Sequence, residues 1–130
     1  MILRHVALTC SSEENSDRFF KNLLGLEKSE PRTLPSSLSK VIFNIDNELR
    51  MINYTGKAVH FEIFIAKDSK SSANPIAHVA IEIDDQEAFL KKCAELDVNV
   101  SQIPSGDRTL TFIRDFDGNL FEIKHKQTNA

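Results

Sequence analysis

Two histidines and two glutamates recur at corresponding points of this chain. His5 opens His5-Val6-Ala7-Leu8 and His78 opens His78-Val79-Ala80-Ile81, while Glu62 centres Phe61-Glu62-Ile63 and Glu122 centres Phe121-Glu122-Ile123. Two imidazoles with two carboxylates form a mixed nitrogen and oxygen donor set that suits zinc, nickel, iron, cobalt or manganese, and two carboxylates neutralise a dication. With one or two coordination positions left open, such a set makes a catalytic site rather than a closed structural one. A single His or Glu on the polar side of an antiparallel strand is ordinary, because such sheets often leave one face to water. The ordered recurrence sets these four apart.

The elements that must position them follow from the same repeat. Downstream of each His copy lies a helical pattern with apolar residues at i, i+1, i+4 and i+5: Phe19, Phe20, Leu23 and Leu24, then Phe89, Leu90, Cys93 and Ala94. Three correspondences in the same order, with the second copy shorter, read as two copies of one module.

In the first module Ile2 to Thr9 alternates as a strand, and Ser11 or Ser12 can cap a helix that carries Glu13 and Glu14 in its first turn and ends at Gly25. A loop with Pro31 and Pro35 follows. Three apolar-rich stretches, about Lys40 to Ile45, Glu48 to Asn53 and Ala58 to Ala66, read as strands, with Asp46-Asn47 and Thr55-Gly56 as turns. The second module repeats the order: strand His78 to Ile83, helix Asp85 to Leu96, then strands Val98 to Gln102, Arg108 to Arg114 and Asn119 to His125. The expected organisation is one domain over 1–130, made of modules at about 1–66 and 76–126 with a polar linker at 67–75.

Strand alternation places the four donors on one kind of face. His5 lies with Leu3, Ala7 and Thr9; His78 with Ile76, Ala80 and Glu82; Glu62 with His60 and Phe64, opposite Phe61, Ile63 and Ile65; and Glu122 opposite Phe121 and Ile123. The apolar sides are expected to meet the helices, leaving His and Glu on the other face. If two such curved sheets close toward each other, those faces line one shared cavity. His60 is a rival to Glu62 for the second ligand position, since a small register change would bring it there; the repeated Phe-Glu-Ile favours Glu62.

The chain has 130 residues, 16 Lys and Arg against 19 Asp and Glu, and a formal net charge of -3, with the signs interspersed. That length can bury a core without staples, and the balance gives no reason to expect nucleic acid or membrane partners. Cys10 and Cys93 form no Cys-x-x-Cys pair and read as small core residues. Arg4 and His5 interrupt the opening apolar stretch and no small-residue cleavage site follows, so a signal peptide is not expected. No apolar run approaches the roughly 18 residues of a spanning helix; a cytoplasmic protein is the expectation.

Other candidates are weaker. Asp115, Asp117, Asn119 and Glu122 fail the spacing of a calcium loop, and Asp117-Gly118-Asn119 reads as a hairpin turn. Ser11, Ser12 and Ser105 lack a nucleophile motif, and no Gly-rich phosphate loop is present. His125 reads as a surface histidine, and Arg50, Arg108 and Arg114 receive no role.

Phe19-Phe20-Lys21-Asn22-Leu23-Leu24-Gly25-Leu26 and Asp115-Phe116-Asp117-Gly118-Asn119-Leu120-Phe121-Glu122-Ile123, with the opening His strand and His78-Val79-Ala80, resemble the vicinal-oxygen-chelate superfamily, which groups glyoxalases, bleomycin-resistance proteins and dioxygenases. Phe116 stands where that family usually has proline, a difference of turn stiffness. The resemblance implies an α+β fold of two βαβββ modules, a cupped, mostly antiparallel, barrel-like sheet with helices outside. It also implies ligands on the first and last strand of each module, at His5, Glu62, His78 and Glu122, around one divalent Zn, Ni, Co, Mn or Fe ion. The implied activity is that of a glyoxalase I-like lyase or isomerase working through an enediolate on a 2-oxo or thiohemiacetal substrate, with Glu122 or Glu62 moving the proton. The alternatives are an acyl-CoA epimerase of the methylmalonyl-CoA kind and a non-enzymatic binder of a small molecule or antibiotic. A dioxygenase is disfavoured by the fourth ligand. A homodimer is expected.

Overall fold

A computed structural model describes residues 2–67 and 76–126. Its chain divides into two compact units, Met1–Lys70 and Ser71–Ala130.

In the first unit β1 (Val6–Cys10) leads into α1 (Glu13–Ser16), which continues as a π-helical stretch over Asp17–Leu23. Ser12 caps the helix by accepting from the Asn15 amide at 3.1 Å, as expected of a serine at that position. At the other end Gly25 adopts φ 71 and the Leu26 amide reaches back to the Phe20 carbonyl at 3.1 Å, a left-handed stop that glycine adopts without a side-chain clash. Then come β2 (Glu27–Lys28), β3 (Arg32–Leu34), α2 (Ser36–Phe43), β4 (Leu49–Thr55) and β5 (His60–Ile65). The sheet order is β1-β5-β4-β2, with β3 also on β4; β1 and β5 run parallel, and β4 is antiparallel to β2, β3 and β5.

The core of this unit forms between the helix and one sheet face. Phe19, Phe20 and Leu23 are buried with Ile52, Tyr54, Phe61 and Ile63, and the Phe20 ring lies 5.5 Å from Tyr54 and 5.2 Å from Phe61. Burying one such ring is worth about 1.5–3 kcal/mol. The Tyr54 hydroxyl is satisfied inside the core, donating to Asp17 Oδ1 at 2.7 Å beside Ser16 Oγ at 2.7 Å. Lys28 closes the rim, 2.5 Å from Glu13 Oε2 and 3.0 Å from Asp17 Oδ2.

In the second unit β6 (Val79–Ile83) precedes α3 (Gln86–Glu95), and β7 (Asn99–Ser105), β8 (Arg108–Arg114) and β9 (Leu120–His125) follow. The order is β6-β9-β8-β7, with β6 parallel to β9 and the other pairs antiparallel. Helix α3 starts at Asp85, whose side chain accepts from the Ala88 amide. Gln86 donates to Thr111 Oγ1 at 3.1 Å, which sets α3 on the face of Thr111, Ile113, Phe121 and Ile123, all buried together with Phe89 and Cys93. Between β8 and β9 the buried Asp115 carboxylate organises the turn, accepting from the amides of Asp117 and Asn119 at 2.9 Å each and from Asn119 Nδ2 at 2.7 Å.

The expected α+β architecture is present, with each sheet open rather than closed on itself; the second unit has the expected order of strand, helix and three strands, whereas the first carries one strand and one helix more. Local corrections are needed. The stretch read as a strand from Lys40 to Ile45 belongs largely to helix α2, whose apolar Leu38, Val41 and Ile42 keep helical spacing but are exposed, and Asn44, at φ 59, supplies the left-handed stop. The supposed loop around Pro31 and Pro35 holds β3, which pairs with β4 between the two prolines. The strands of His5 and His78 begin one residue after each histidine, at Val6 and Val79, and β7 runs on to Ser105. Cys10 and Cys93 are buried and form no disulfide, in keeping with small core residues. Most of the linker 67–75 lies outside the described residues. Among the described residues no helix is long and apolar enough to cross a membrane.

Candidate metal centre

Parallel pairing is what brings the first two donors together. In β1 and β5 Ala7 faces Glu62 and Val6 faces Phe61; His5, two residues before Ala7, therefore falls on the Glu62 side of the sheet. His5 Nε2 stands 3.8 Å from Glu62 Oε2. Two metal bonds of about 2.1 Å keep their donor atoms no more than about 4.2 Å apart, so this pair fits a shared ion. The His5 side chain is 43% exposed and that of Glu62 20%, leaving the pair reachable from solvent.

His60 occupies the same face but is engaged elsewhere. Its Nε2 lies 2.7 Å from Asn53 Oδ1, a carbonyl oxygen that can only accept. The proton therefore sits on Nε2, and the His60 ring lies 5.6 Å from that of His5. Two residues beyond Glu62 on β5, Phe64 is covered by Phe43 of α2, the rings meeting edge-on at 5.3 Å. The helix missed in the sequence thus walls one end of the face that carries Glu62.

The second unit repeats the register. Ala80 faces Glu122 in the parallel pair of β6 and β9, and Val79 faces Phe121. His78 Nδ1 lies 2.8 Å from the Ile76 carbonyl oxygen. Because a carbonyl only accepts, Nδ1 is the donor, which in the neutral ring leaves the lone pair on Nε2, the tautomer in which a histidine ligates a metal through Nε2. The His78 ring packs edge-on to Phe112 at 6.0 Å. Glu122 Oε1 is paired with Lys124 Nζ at 3.1 Å, leaving Oε2 as its second oxygen. Lys124 follows Glu122 by the strand period of two; its position was readable from sequence, its pairing was not. In the first unit the corresponding place is Phe64, so the two glutamates sit in unlike surroundings.

The donors thus fall into two pairs, one per unit, in equivalent registers. Among the described residues no group of three or more His, Cys, Asp or Glu is gathered as a metal-holding cluster. The calcium-loop candidates are accounted for by the turn, where Asp115 is held by Asp117 and Asn119. His125 is exposed.

Comparison with known proteins gives a consistent family. Residues 2–123 match the model of the Glyoxalase/Bleomycin resistance protein/Dioxygenase superfamily. The chain is 33% identical over 84 residues to the mitochondrial methylmalonyl-CoA epimerase of Bos taurus, a match covering 63% of this chain and 46% of that protein, so it spans about half the length of that relative. Among solved structures, a glyoxalase family protein of Enterococcus faecalis is similar with TM-score 0.72 at 19% identity, over 93% of this chain and 94% of that one. A fosfomycin resistance protein, FosX of Listeria monocytogenes, complexed with Mn(II) and 1S,2S-dihydroxypropylphosphonic acid, is similar with TM-score 0.71 at 19% identity, over 96% of this chain and 92% of that one. At such identities the structural likeness speaks for the fold.

Proposed function

We propose, from the premise that this chain belongs to the Glyoxalase/Bleomycin resistance protein/Dioxygenase superfamily, that it is a metal-dependent enzyme transferring a proton at a carbon next to a carbonyl, with His5, Glu62, His78 and Glu122 as ligands. The observation that carries this reading is the repeated register: Ala7 against Glu62 and Ala80 against Glu122, each with a histidine two residues upstream on the same face.

Each unit contributes one imidazole and one carboxylate. His5 and Glu62 already hold the spacing of two ligands to one ion, and His78 presents Nε2 with Nδ1 tied to Ile76. A divalent ion in that donor set supplies Lewis acidity, lowering the pKa of a C–H adjacent to a bound carbonyl. The proton itself falls to a carboxylate. Glu122 is given this role: Lys124 holds Oε1 by one lone pair, so that Oε1 would keep its other lone pair for the ion while Oε2 takes the proton and returns it to the neighbouring or the same carbon. Glu62 has no corresponding lysine, Phe64 standing in its place, and serves as ligand. The two modules act as one domain, in a homodimer in the cytoplasm, where cysteines such as Cys10 and Cys93 that form no disulfide are at home.

Return to a neighbouring carbon gives a glyoxalase I-like lyase; return to the same carbon gives an epimerase. The carboxylate at position 62 favours the first, and the likeness to methylmalonyl-CoA epimerase favours the second. Both are tested by supplying the metal-loaded chain in D2O with methylglyoxal–glutathione hemithioacetal and, separately, methylmalonyl-CoA. Deuterium entering one substrate at the carbon beside the carbonyl, in a manner lost on chelation, is the expected result. No exchange into either, with metal bound, would refute the lyase and epimerase readings together and leave a binding protein.

A further inference from the structure

We propose that the open face of the second sheet carries a recognition cleft for a small organic oxyanion, in which Arg114 takes the anionic group and Phe112 and Leu120 hold a short apolar body beside Glu122. As a substrate cleft it rests on the role given to Glu122 above; as a binding site it does not.

Residues Asn99, Ser101, Ile103, Phe112, Arg114 and Leu120 line a hollow of about 270 Å³. That is near the lower end of small-molecule sites, about 300 Å³, and suits a ligand of few heavy atoms. Its position is fixed by register. Ser101, Phe112 and Glu122 form one row across β7, β8 and β9, and Asn99, Arg114 and Leu120 form the next. The opposite face is closed by α3 over Thr111, Ile113, Phe121 and Ile123. The cleft therefore opens on the side that carries Glu122, one row away, or about 7 Å along the strand. Phe112 joins the two places physically, lining the cleft while its ring meets that of His78 at 6.0 Å.

The lining is divided by chemistry. Phe112, Leu120 and Ile103 offer apolar surface, and Asn99 and Ser101 offer neutral hydrogen-bonding groups. Arg114 gives one N–H from Nη1 to the Gly118 carbonyl at 2.8 Å, which anchors the guanidinium; further N–H donors of the same planar group remain for a ligand. A planar fork of this kind matches carboxylate and phosphonate oxygens, and is not replaced by a lysine. An anion seated there places a carbon two to four bonds away within reach of the Glu122 row.

The test is an amide NMR titration of the metal-free full chain with propylphosphonate, butyrate and inorganic phosphate, with 1-butanol as the uncharged control. Saturable shifts centred on Ser101, Phe112 and Leu120 are expected for propylphosphonate or butyrate, the stronger of the two naming the anion class, with phosphate weaker and 1-butanol without effect. Arg114→Gln should weaken the better ligand at least about tenfold, the loss of one charge-assisted contact. Ser101→Asp, on an exposed strand position, should abolish binding by bringing a like charge into the cleft. Shifts that lie elsewhere, that 1-butanol reproduces, or that survive both substitutions would overturn the proposal. A separate metal titration of the same chain distinguishes the two readings: cleft binding in a chain that takes up no metal leaves the inference standing alone, whereas metal binding without cleft shifts removes the inference and leaves the metal centre intact.

Discussion

His5 Nε2 stands 3.8 Å from Glu62 Oε2, across a parallel strand pair that seats Ala7 opposite the glutamate. His60, on the same face, is turned to Asn53. Glu62→Ala, which removes the donor oxygen, should therefore weaken divalent-metal affinity by more than the 10- to 100-fold typical of groups that only orient a ligand, while His60→Ala should stay within about tenfold of the native chain. Calorimetric titration of the chelator-stripped protein reads both, and the reverse order would make His60 the ligand.

Glu122 is proposed both to bind and to carry the proton, so its amide variant separates the roles. Glu122→Gln keeps an oxygen donor but removes the base, and turnover should fall by about 10²–10⁴ with a much smaller loss of metal affinity. Steady-state rates beside a metal titration of the same sample measure this; turnover retained within a few-fold would assign the proton to another group.

Asp115 gives a prediction about pH. Burial raises its carboxyl above the usual 3.8, with the bonds from Asn119 and Asp117 opposing the rise. The folded chain then binds this proton more tightly than the unfolded chain, so the group's stabilising contribution is full below 3.8 and is lost as pH climbs through its folded value. Asp115→Asn should remove that decline from urea-denaturation profiles, at a cost of about 1 kcal/mol because its oxygen can still accept. Asp115→Ala orphans the Asp117 and Asn119 amides and should cost about 2–4 kcal/mol. Equal costs for both variants would contradict this account of the turn.

Asn44 ends α2 in the left-handed region at φ 59. Glycine there should be neutral within about 0.5 kcal/mol, whereas Asn44→Val should destabilise by about 1–2 kcal/mol. Thermal melts of both variants decide it, and a tolerated valine would mean that α2 does not end at this residue.

What the sequence revealed and concealed follows from the reach of each signal. The repeats of His-Val-Ala and Phe-Glu-Ile were readable because strand alternation ties a residue's neighbours to its face. Helix α3 and the start of α1 were readable from Asp85, Ser12 and the apolar spacing. Helix α2 was concealed because Val41, Ile42 and Phe43, taken together, have strand propensity, although their neighbours Leu38 and Ile45 keep helical spacing. Three residues between Pro31 and Pro35 are too few to announce β3. The π-helical stretch leaves no side-chain signature, since it is a shift of backbone bonds such as Leu24 N to the Phe19 carbonyl. The parallel pairing of β1 with β5 and of β6 with β9 joins segments far apart in sequence, which local pattern does not encode. At the site, the four donors were legible as a repeat, whereas the engagement of Glu122 by Lys124 and of His60 by Asn53 depends on rotamers that sequence does not specify.

If His5 and Glu62 serve the same ion as His78 and Glu122, the metal stoichiometry of the chain is fixed at one. Untagged protein, stripped and then titrated with Mn2+, Ni2+ or Zn2+, should bind one equivalent per chain, and His5→Ala and His78→Ala should each abolish that same binding event. Two equivalents per chain, with each substitution removing only one of them, or a single equivalent indifferent to either, would contradict it.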